Sequence, residues 1–489
     1  MDGESPSTAI ESGGSTGLDE ALSGLLVEPT DGSGLISDFG GVVQASPAGV
    51  AAATTIEDAR RVFAYAGENA VPVVMRGTGH SCGGQSLVQR GLLLENRLEG
   101  EIDWADDEEV EVPTGLPWRT VEVELNARGR AVPVLPSVLD ISVGGILAVG
   151  GYGTNSPARG PLIDHVTALE LLSPDGKVRW CSSGENEELF RFALAGSGQL
   201  GLITRARLRT YEHRPDVDLR GYRFESLSAM ADALRWMDDP AVSPPPYMRA
   251  FSYKPDRPGI VLYGELTAAG ADGPGGADPF AGARQALGEP ATAMATENVR
   301  MMEDEFDRNW VERYPDHHRL WIDYGFSYES FVRYCGEVER LARDGAFGKA
   351  IRAVYVSVVP ESGGGDDYFP FDIRPAGVER TFTCGLYCMV PHGDAAALEM
   401  VRRALRRCNE LMSELGGRPY VYGFNEMGPT HWRRAFGDPA IDRMLALKGD
   451  SDPAGVIPPP WDRIEPERLP DGDSAWTPKF RADGAVSDA

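Results

Sequence analysis

The stretch VPVVMRGTGHSCGGQSL, residues 71–87, narrows the possible folds more than any other part of this chain. An apolar run ends abruptly in a loop of small residues that holds one histidine, His80. A short buried strand followed by R-G-T-G-H-S predicts a tight turn whose backbone N–H groups lie close together. Such a turn suits a pyrophosphate, because glycines let the backbone approach and the amides donate. Arg76 adds positive charge. A strand-ending turn with an incidental histidine is the rival reading, and spacing alone does not separate the two. The pattern is neither a P-loop nor the G-x-G-x-x-G dinucleotide fingerprint.

Two further glycine loops follow, SVGGILAVGGYG (142–153) and GSGQLGLITRA (196–206), both between strand-like segments. Three such loops over about 120 residues suggest one extended anionic ligand touched repeatedly. Glycines also mark bends in sheets, and that reading holds for some of them.

The flanking pattern is mixed. TTIEDARRVFAYAGENA opens with threonine caps and carries Ile56, Ala59, Val62 and Phe63 at helical spacing. GLLLEN (91–96) and EVEVP (109–113) read as strands, and PWRTVEVELNARG as a helix ended by glycine. HVTALELLSPDGKVRWCS predicts two strands around a Pro-Asp-Gly turn. This alternation means α+β or α/β. After about residue 214 the texture changes to amphipathic helices (SLSAMADALRWMDD, SYESFVRYCGEVERLARDG) and strands such as ERTFTCGLYCMV. TAAGADGPGGADPFAGA reads as a surface loop or linker. A chain of 489 residues needs two or three domains, and 42% hydrophobic residues support large cores.

Composition excludes several functions. A net charge of -27 argues against nucleic-acid or anionic-membrane partners. No apolar run reaches the roughly 18 residues of a membrane span. Residues 1–24 lack a basic start and an apolar stretch, so a signal peptide is not expected. Residues 1–35 read as a disordered tail. Six scattered cysteines make a reducing compartment the default, and a cytoplasmic location is expected.

The motifs are similar to the flavin-binding segments of the vanillyl-alcohol-oxidase-type (PCMH-type) FAD-linked oxidases, and most similar to those of the cytokinin dehydrogenases. The family's R-G-x-G-H-S-x-x-G-Q is met by Arg76, Gly77, Gly79, His80, Ser81, Gly84 and Gln85. T-V-G-G-x-L is met as Ser142-Val143-Gly144-Gly145-Ile146-Leu147, and G-x-G-Q-x-G-x-I-T-R-A by Gly196, Gly198, Gln199, Gly201, Ile203, Thr204, Arg205 and Ala206. The likeness is strong over 36–213 and weak over 380–465.

The resemblance implies an α+β fold of two parts. A PCMH-type FAD-binding domain would span 36–214 and be rejoined by 426–489. A substrate domain over 215–425 would carry an antiparallel sheet flanked by helices. It implies FAD bonded covalently to His80. The cofactor would be held by Arg76, Gly77, Thr78, Gly79, His80, Ser81, Gln85, Ser137, Ser142, Gly144, Gly145, Ala148, Gly201 and Ile203. The cysteine that gives some relatives a second tether is replaced by Val138. The implied reaction is two-electron oxidation of a C–N or C–OH bond in a small molecule, with hydride transfer to flavin N5 and oxygen or another electron acceptor. A sugar or alditol oxidase and a tailoring oxidase of secondary metabolism, perhaps closing a ring, are the alternatives within the class.

The proton acceptor departs from the pattern. The family's aspartate ahead of T-V-G-G falls on Ser137 here. Asp140 is the nearest carboxylate, and Glu426, Tyr422 and Asp323 are the other candidates; Asp140 capping a turn is the plainer reading. Tyr422, Phe424 and Trp461 are candidates to line a slot for a planar substrate, with core packing as the alternative. No metal is expected. Cys384, Cys388 and His392 have suggestive spacing, but the segment alternates like a strand whose cysteines share a buried face. His317 and His318 read as surface residues.

Overall fold

The computed structural model describes residues 14–27, 36–214, 217–252, 259–265, 280–296, 314–343, 345–361 and 368–462, with short strands at Pro466–Arg468 and Trp476–Pro478. Most of the stretch 267–283 expected to be a linker lies outside the described residues.

The first part opens on a parallel three-stranded sheet. Leu92–Asn96 is central, flanked by Gly49–Ala53 and Val73–Arg76. The helix Ile56–Asn69 crosses over between two of these strands. It starts in a capping box, in which Thr55 accepts from the Asp58 amide and Asp58 accepts from the Thr55 amide. Ala59, Val62, Phe63 and Ala66 form its buried stripe, as the apolar spacing predicts. Each large side chain buried this way stabilises the fold by about 1.5–3 kcal/mol.

A second, antiparallel sheet carries five strands in the order Val178–Ser182, Val166–Leu172, Leu202–Arg209, Glu109–Pro113, Asp103–Trp104. Its first two strands are the hairpin read around Pro174-Asp175-Gly176.

The larger sheet has eight antiparallel strands. Their order is Thr292–Thr296, Val217–Arg223, Gly259–Glu265, Tyr247–Ser252, Ile351–Pro360, Arg380–Pro391, His317–Phe326, Arg418–Pro419. The helices Tyr328–Ala342 and Ala395–Glu414 pack on one face of it. Phe326, Phe331, Tyr334, Phe382, Cys384, Cys388 and Cys408 fill that layer. Thr383 and Tyr387 point to the other face, toward the glycine loops. The SLSAMADALRWMDD segment is less helical than its spacing predicts. The α-helix Leu227–Ala233 tightens into a 3-10 turn over Leu234–Asp238, just ahead of Pro240.

The N-terminal reading needs correction. Residues 1–13 and 28–35 lie outside the described residues, but Gly14–Ala21 is a helix and residues 22–27 are ordered with it. Leu22 and Leu25 are buried against the parallel sheet, and Leu26 bridges to Ala51. Leu18, Leu22 and Leu25 lie on one helical stripe that the surrounding Ser and Gly obscure. The Arg61 guanidinium donates to the Ala21 and Ser23 carbonyls, satisfying the helix end. No helix among the described residues is long and apolar enough to cross a membrane.

Candidate active site

A cavity of about 300 Å³ lies between the glycine loops and the inner face of the eight-stranded sheet. Arg76, Gly77, Thr78, Gly79, His80, Ser81, Gln85, Ser137, Ser142, Gly144, Gly145, Ala148, Gly201 and Ile203 all line it. Residues separated by more than 120 positions thus meet at one wall.

The local geometry explains the glycines. A Cβ at Gly77 would stand 2.1 Å from Ser142 Oγ, so the first two loops touch there only because Gly77 has no side chain. Gly79 has φ +76°, and a Cβ there would strike the Arg76 guanidinium at 2.3 Å. Ser142 caps the short helix Val143–Leu147 by accepting from the Gly145 amide at 3.3 Å. Arg76 donates to the Ser37 carbonyl at 3.3 Å, while its buried Nη1 finds no protein acceptor among the described residues. A buried guanidinium with an unused donor, beside amides exposed by glycine, fits a diphosphate and therefore the FAD that the motifs imply.

His80 stands at one end of this wall. Its ring lies 3.9 Å from that of Phe39 and 6.1 Å from that of Trp321. Burial, and secondarily the Arg319 charge, lowers its pKa to about 4, so the imidazole is neutral at physiological pH. The loop is tied to the far end of the chain. Cys82 N donates to Tyr422 O at 2.9 Å, and Gln85 Nε2 to the Val421 and Gly423 carbonyls at 3.0 and 2.6 Å.

The opposite wall is aromatic. Trp321 and Tyr387 stack at 4.7 Å, and Tyr355 continues the ladder at 6.2 Å. Tyr420 meets Tyr422 edge-on at 4.7 Å. Among them sits one carboxyl, Asp323. Tyr422 donates to its Oδ2 at 2.7 Å and Tyr387 to its Oδ1 at 3.5 Å. Burial raises the Asp323 pKa to about 6, against the smaller lowering by the two tyrosines. A Cβ at Gly385 would lie 2.0 Å from Asp323 Oδ1, so that glycine makes the space for the carboxyl.

Two of the catalytic candidates lie elsewhere. Asp140 is half-exposed, away from the cavity wall, in a bidentate pair with Arg119 at 2.6 and 3.0 Å. Glu426 is buried but bonded to Arg402 at 2.6 Å and to Arg406 at 3.5 Å on the outer helix, behind the sheet. Of the four proton-acceptor candidates, Tyr422 and Asp323 reach the cavity. Phe424 and Trp461 belong to the cores rather than the slot. His318 is buried rather than surface, paired with the Gly41 carbonyl at 2.8 Å and beside His392 at 4.5 Å. Trp321, Tyr355 and Tyr387 were missed by sequence reasoning. Their only signal is alternation along strands 317–326, 351–360 and 380–391, and nothing in a strand pattern tells which face meets a ligand. The described residues hold no cluster suited to a metal ion.

Glycine-lined loops, a neutral histidine and a facing aromatic sheet together make a cavity whose shape and chemistry suit a flavin. Residues 47–182 match the family described as FAD binding domain. An uncharacterized oxidoreductase, ORF5 in the fasciation locus of Rhodococcoides fascians, is 29% identical over 204 residues, 42% of this chain and 47% of that protein. Cytokinin dehydrogenase 2 of Arabidopsis thaliana is 32% identical over 194 residues, 39% of this chain and 38% of its own length. Cytokinin dehydrogenase 5 of the same plant is 33% identical over 191 residues, 37% and 35% of the two chains. The chain thus spans less than half the length of each of these relatives. The likeness to these proteins is concentrated in the FAD-binding part.

Proposed function

We propose that this protein is an FAD-dependent oxidase or dehydrogenase that oxidises a C–N or C–OH bond of a flat small molecule, with the FAD bonded covalently to His80. The observation that carries the reading is the juxtaposition of two unlike walls: a neutral His80 in a glycine-lined anion cradle, and Asp323 with Tyr422 on the facing sheet.

When bound, FAD supplies a two-electron acceptor that takes hydride from the substrate carbon. Arg76 and the loop amides of 77–81 and 144–145 would hold its diphosphate. His80, neutral and held between Phe39 and Trp321, presents a nitrogen lone pair for the tether. Asp323 is the proton acceptor. The substrate N–H or O–H proton passes to the Tyr422 oxygen as the Tyr422 proton passes to Asp323 Oδ2, or goes to the carboxylate directly. A pKa near 6 leaves Asp323 ionised at neutral pH yet basic enough to accept. Tyr422 stays protonated, since burial and the neighbouring carboxylate both raise its pKa well above the usual value. The aromatic walls exclude water and add roughly 0.5–1.5 kcal/mol per ring contact beyond burial. They favour a planar substrate over the sugar or alditol alternative, which needs a wall of polar groups.

Denaturing the purified protein in acid and recording spectra of pellet and supernatant tests the tether. Flavin in the wild-type pellet, released to the supernatant by His80→Ala, is the expected result. Anaerobic mixing with adenine-type amines, aromatic alcohols and sugars tests the reaction, and flavin bleaching by the planar members is expected. A colourless chain that takes up no FAD would end this reading.

A further inference from the structure

The inner face of the large sheet forms a two-dimensional register. Across the strands bearing Asp323, Gly385 and Tyr355, those three residues face one another as Cα partners. The next row in one direction is Trp321 and Tyr387; in the other it is Gly325, Thr383 and Ser357. Trp321, Tyr387, Asp323, Tyr355, Thr383 and Ser357 all reach the cavity. Gly385 is a notch between the Asp323 carboxyl and the Tyr355 ring.

Ser357 is the unexplained member. Its backbone is satisfied, the amide donating to Thr383 Oγ1 at 3.1 Å and the carbonyl accepting from that same hydroxyl at 3.3 Å. Its own hydroxyl is buried at 8% residue exposure and has no partner among the described residues. Buried hydroxyls nearly always have partners, and a strand position that faces a core takes an apolar residue at no such cost. Charge is equally selective. Among the described residues Asp323 is the single carboxyl on the cavity wall, and the one guanidinium, Arg76, stands in the loop at the far wall. Buried Arg249 lies over the Tyr355 ring at 5.8 Å, so it is a substrate carboxylate at the Asp323 end that would meet an anion with no cation beside it.

We infer that the substrate is an extended, flat, fused-ring aromatic that gives an N–H or O–H to Asp323 at one end and a second polar group to the Ser357 hydroxyl at the other, with no carboxylate at the Asp323 end. The span follows from the sheet. Two strand spacings and two residues along the strand separate Asp323 from Ser357 by about 12 Å between α-carbons. Side chains reaching inward shorten this to the length of two or three fused rings, and the Trp321, Tyr387 and Tyr355 rings flank that path. Single rings cannot reach both ends. Polyols reach them without using the aromatic wall. The inference rests on Asp323 as the proton acceptor, and it makes Ser357 a specificity residue that touches substrate but moves no proton.

Titration of the flavin-loaded protein under anaerobic conditions tests it, with Kd read from the flavin absorbance perturbation and from tryptophan fluorescence. The probes are phenol, 2-naphthol and 2,6-dihydroxynaphthalene. The dihydroxy probe is expected to bind about tenfold tighter than 2-naphthol, as one added hydrogen bond to a buried group supplies. Phenol should bind weakest. In Ser357→Ala the dihydroxy advantage should vanish while the 2-naphthol Kd is unchanged, and Ser357→Thr, which keeps a hydroxyl, should retain part of it. Equal binding of the two naphthols by the wild type, or an equal loss for both in Ser357→Ala, would overturn the inference. Proton transfer is read separately by Asp323→Asn. A variant that reduces flavin at the wild-type rate yet keeps the Ser357-dependent ranking would sink the base assignment and leave the two-ended site standing.

Discussion

Tyr422 donates its phenolic proton to Asp323 Oδ2 across 2.7 Å, joining residues 99 positions apart at the centre of the cavity wall. One lies in the segment that is bonded to the His80 loop, the other on a strand of the large sheet. The pair therefore depends on both halves of the fold.

Removing it should cost chemistry before it costs binding. Asp323→Asn is expected to slow anaerobic flavin reduction by about 10²–10⁴-fold, the usual contribution of a general base. Tyr422→Phe should slow it less, because the carboxylate remains. Stopped-flow reduction at saturating substrate distinguishes this from a binding defect, which would raise KM alone.

The same carboxyl sets a pH limb. With its pKa raised to about 6, Asp323 is protonated and idle below that value and ionised above it, so the reduction rate should climb with pH through about 6. Tyr422→Phe removes a hydrogen bond that lowers this pKa, so its limb should move to higher pH. Stability runs the other way. A carboxyl whose pKa is higher folded than unfolded binds more protons when folded, so its contribution is full in acid. That contribution declines as pH rises from about 4 through 6. Thermal melts of Asp323→Asn should lack this decline.

The tether should depend on His80 staying neutral. Burial is the larger cause of its low pKa and Arg319 the smaller. Arg319→Gln raises that pKa part of the way toward the ordinary value, so a larger share of imidazole is protonated in mild acid. The expected outcome is less acid-stable flavin formed when FAD is added to flavin-free protein near pH 5, with little change at pH 8.

Close approach of the first two glycine loops is testable by volume. Gly77→Ala puts a methyl 2.1 Å from Ser142 Oγ, and the double variant Gly77→Ala/Ser142→Ala removes that oxygen, leaving Ser142 Cβ at 3.3 Å. Flavin occupancy, read as the ratio of visible to ultraviolet absorbance, should fall in the single variant and recover partly in the double.

Asp140 and Glu426 should behave as structural residues of opposite weight. Asp140→Asn, on an exposed pair, should leave the rate unchanged and stability within about 0.5 kcal/mol. Glu426→Ala leaves the part-buried Arg402 and Arg406 with only the half-exposed Glu399 as partner, and should cost about 1.5–3 kcal/mol in denaturant melts.

Much of the glycine-loop wall of the cavity was legible in the sequence because its determinants are local. A glycine beside His80 or Ser142 serves the same turn wherever the turn is placed, so R-G-T-G-H-S and S-V-G-G already specify the tight turns that line the cavity. The capped helix Ile56–Asn69 and the hairpin around Asp175-Gly176 follow from contiguous residues in the same way. Tertiary structure alone decided the facing wall of the cavity. Asp140 is near Ser142 in sequence but turned to solvent by Arg119, while Asp323 is remote in sequence and brought to the cavity by strand register. A strand's two faces look alike in sequence, and a carboxyl's basicity is set by what buries it. Both are properties of long-range packing, which no short motif encodes.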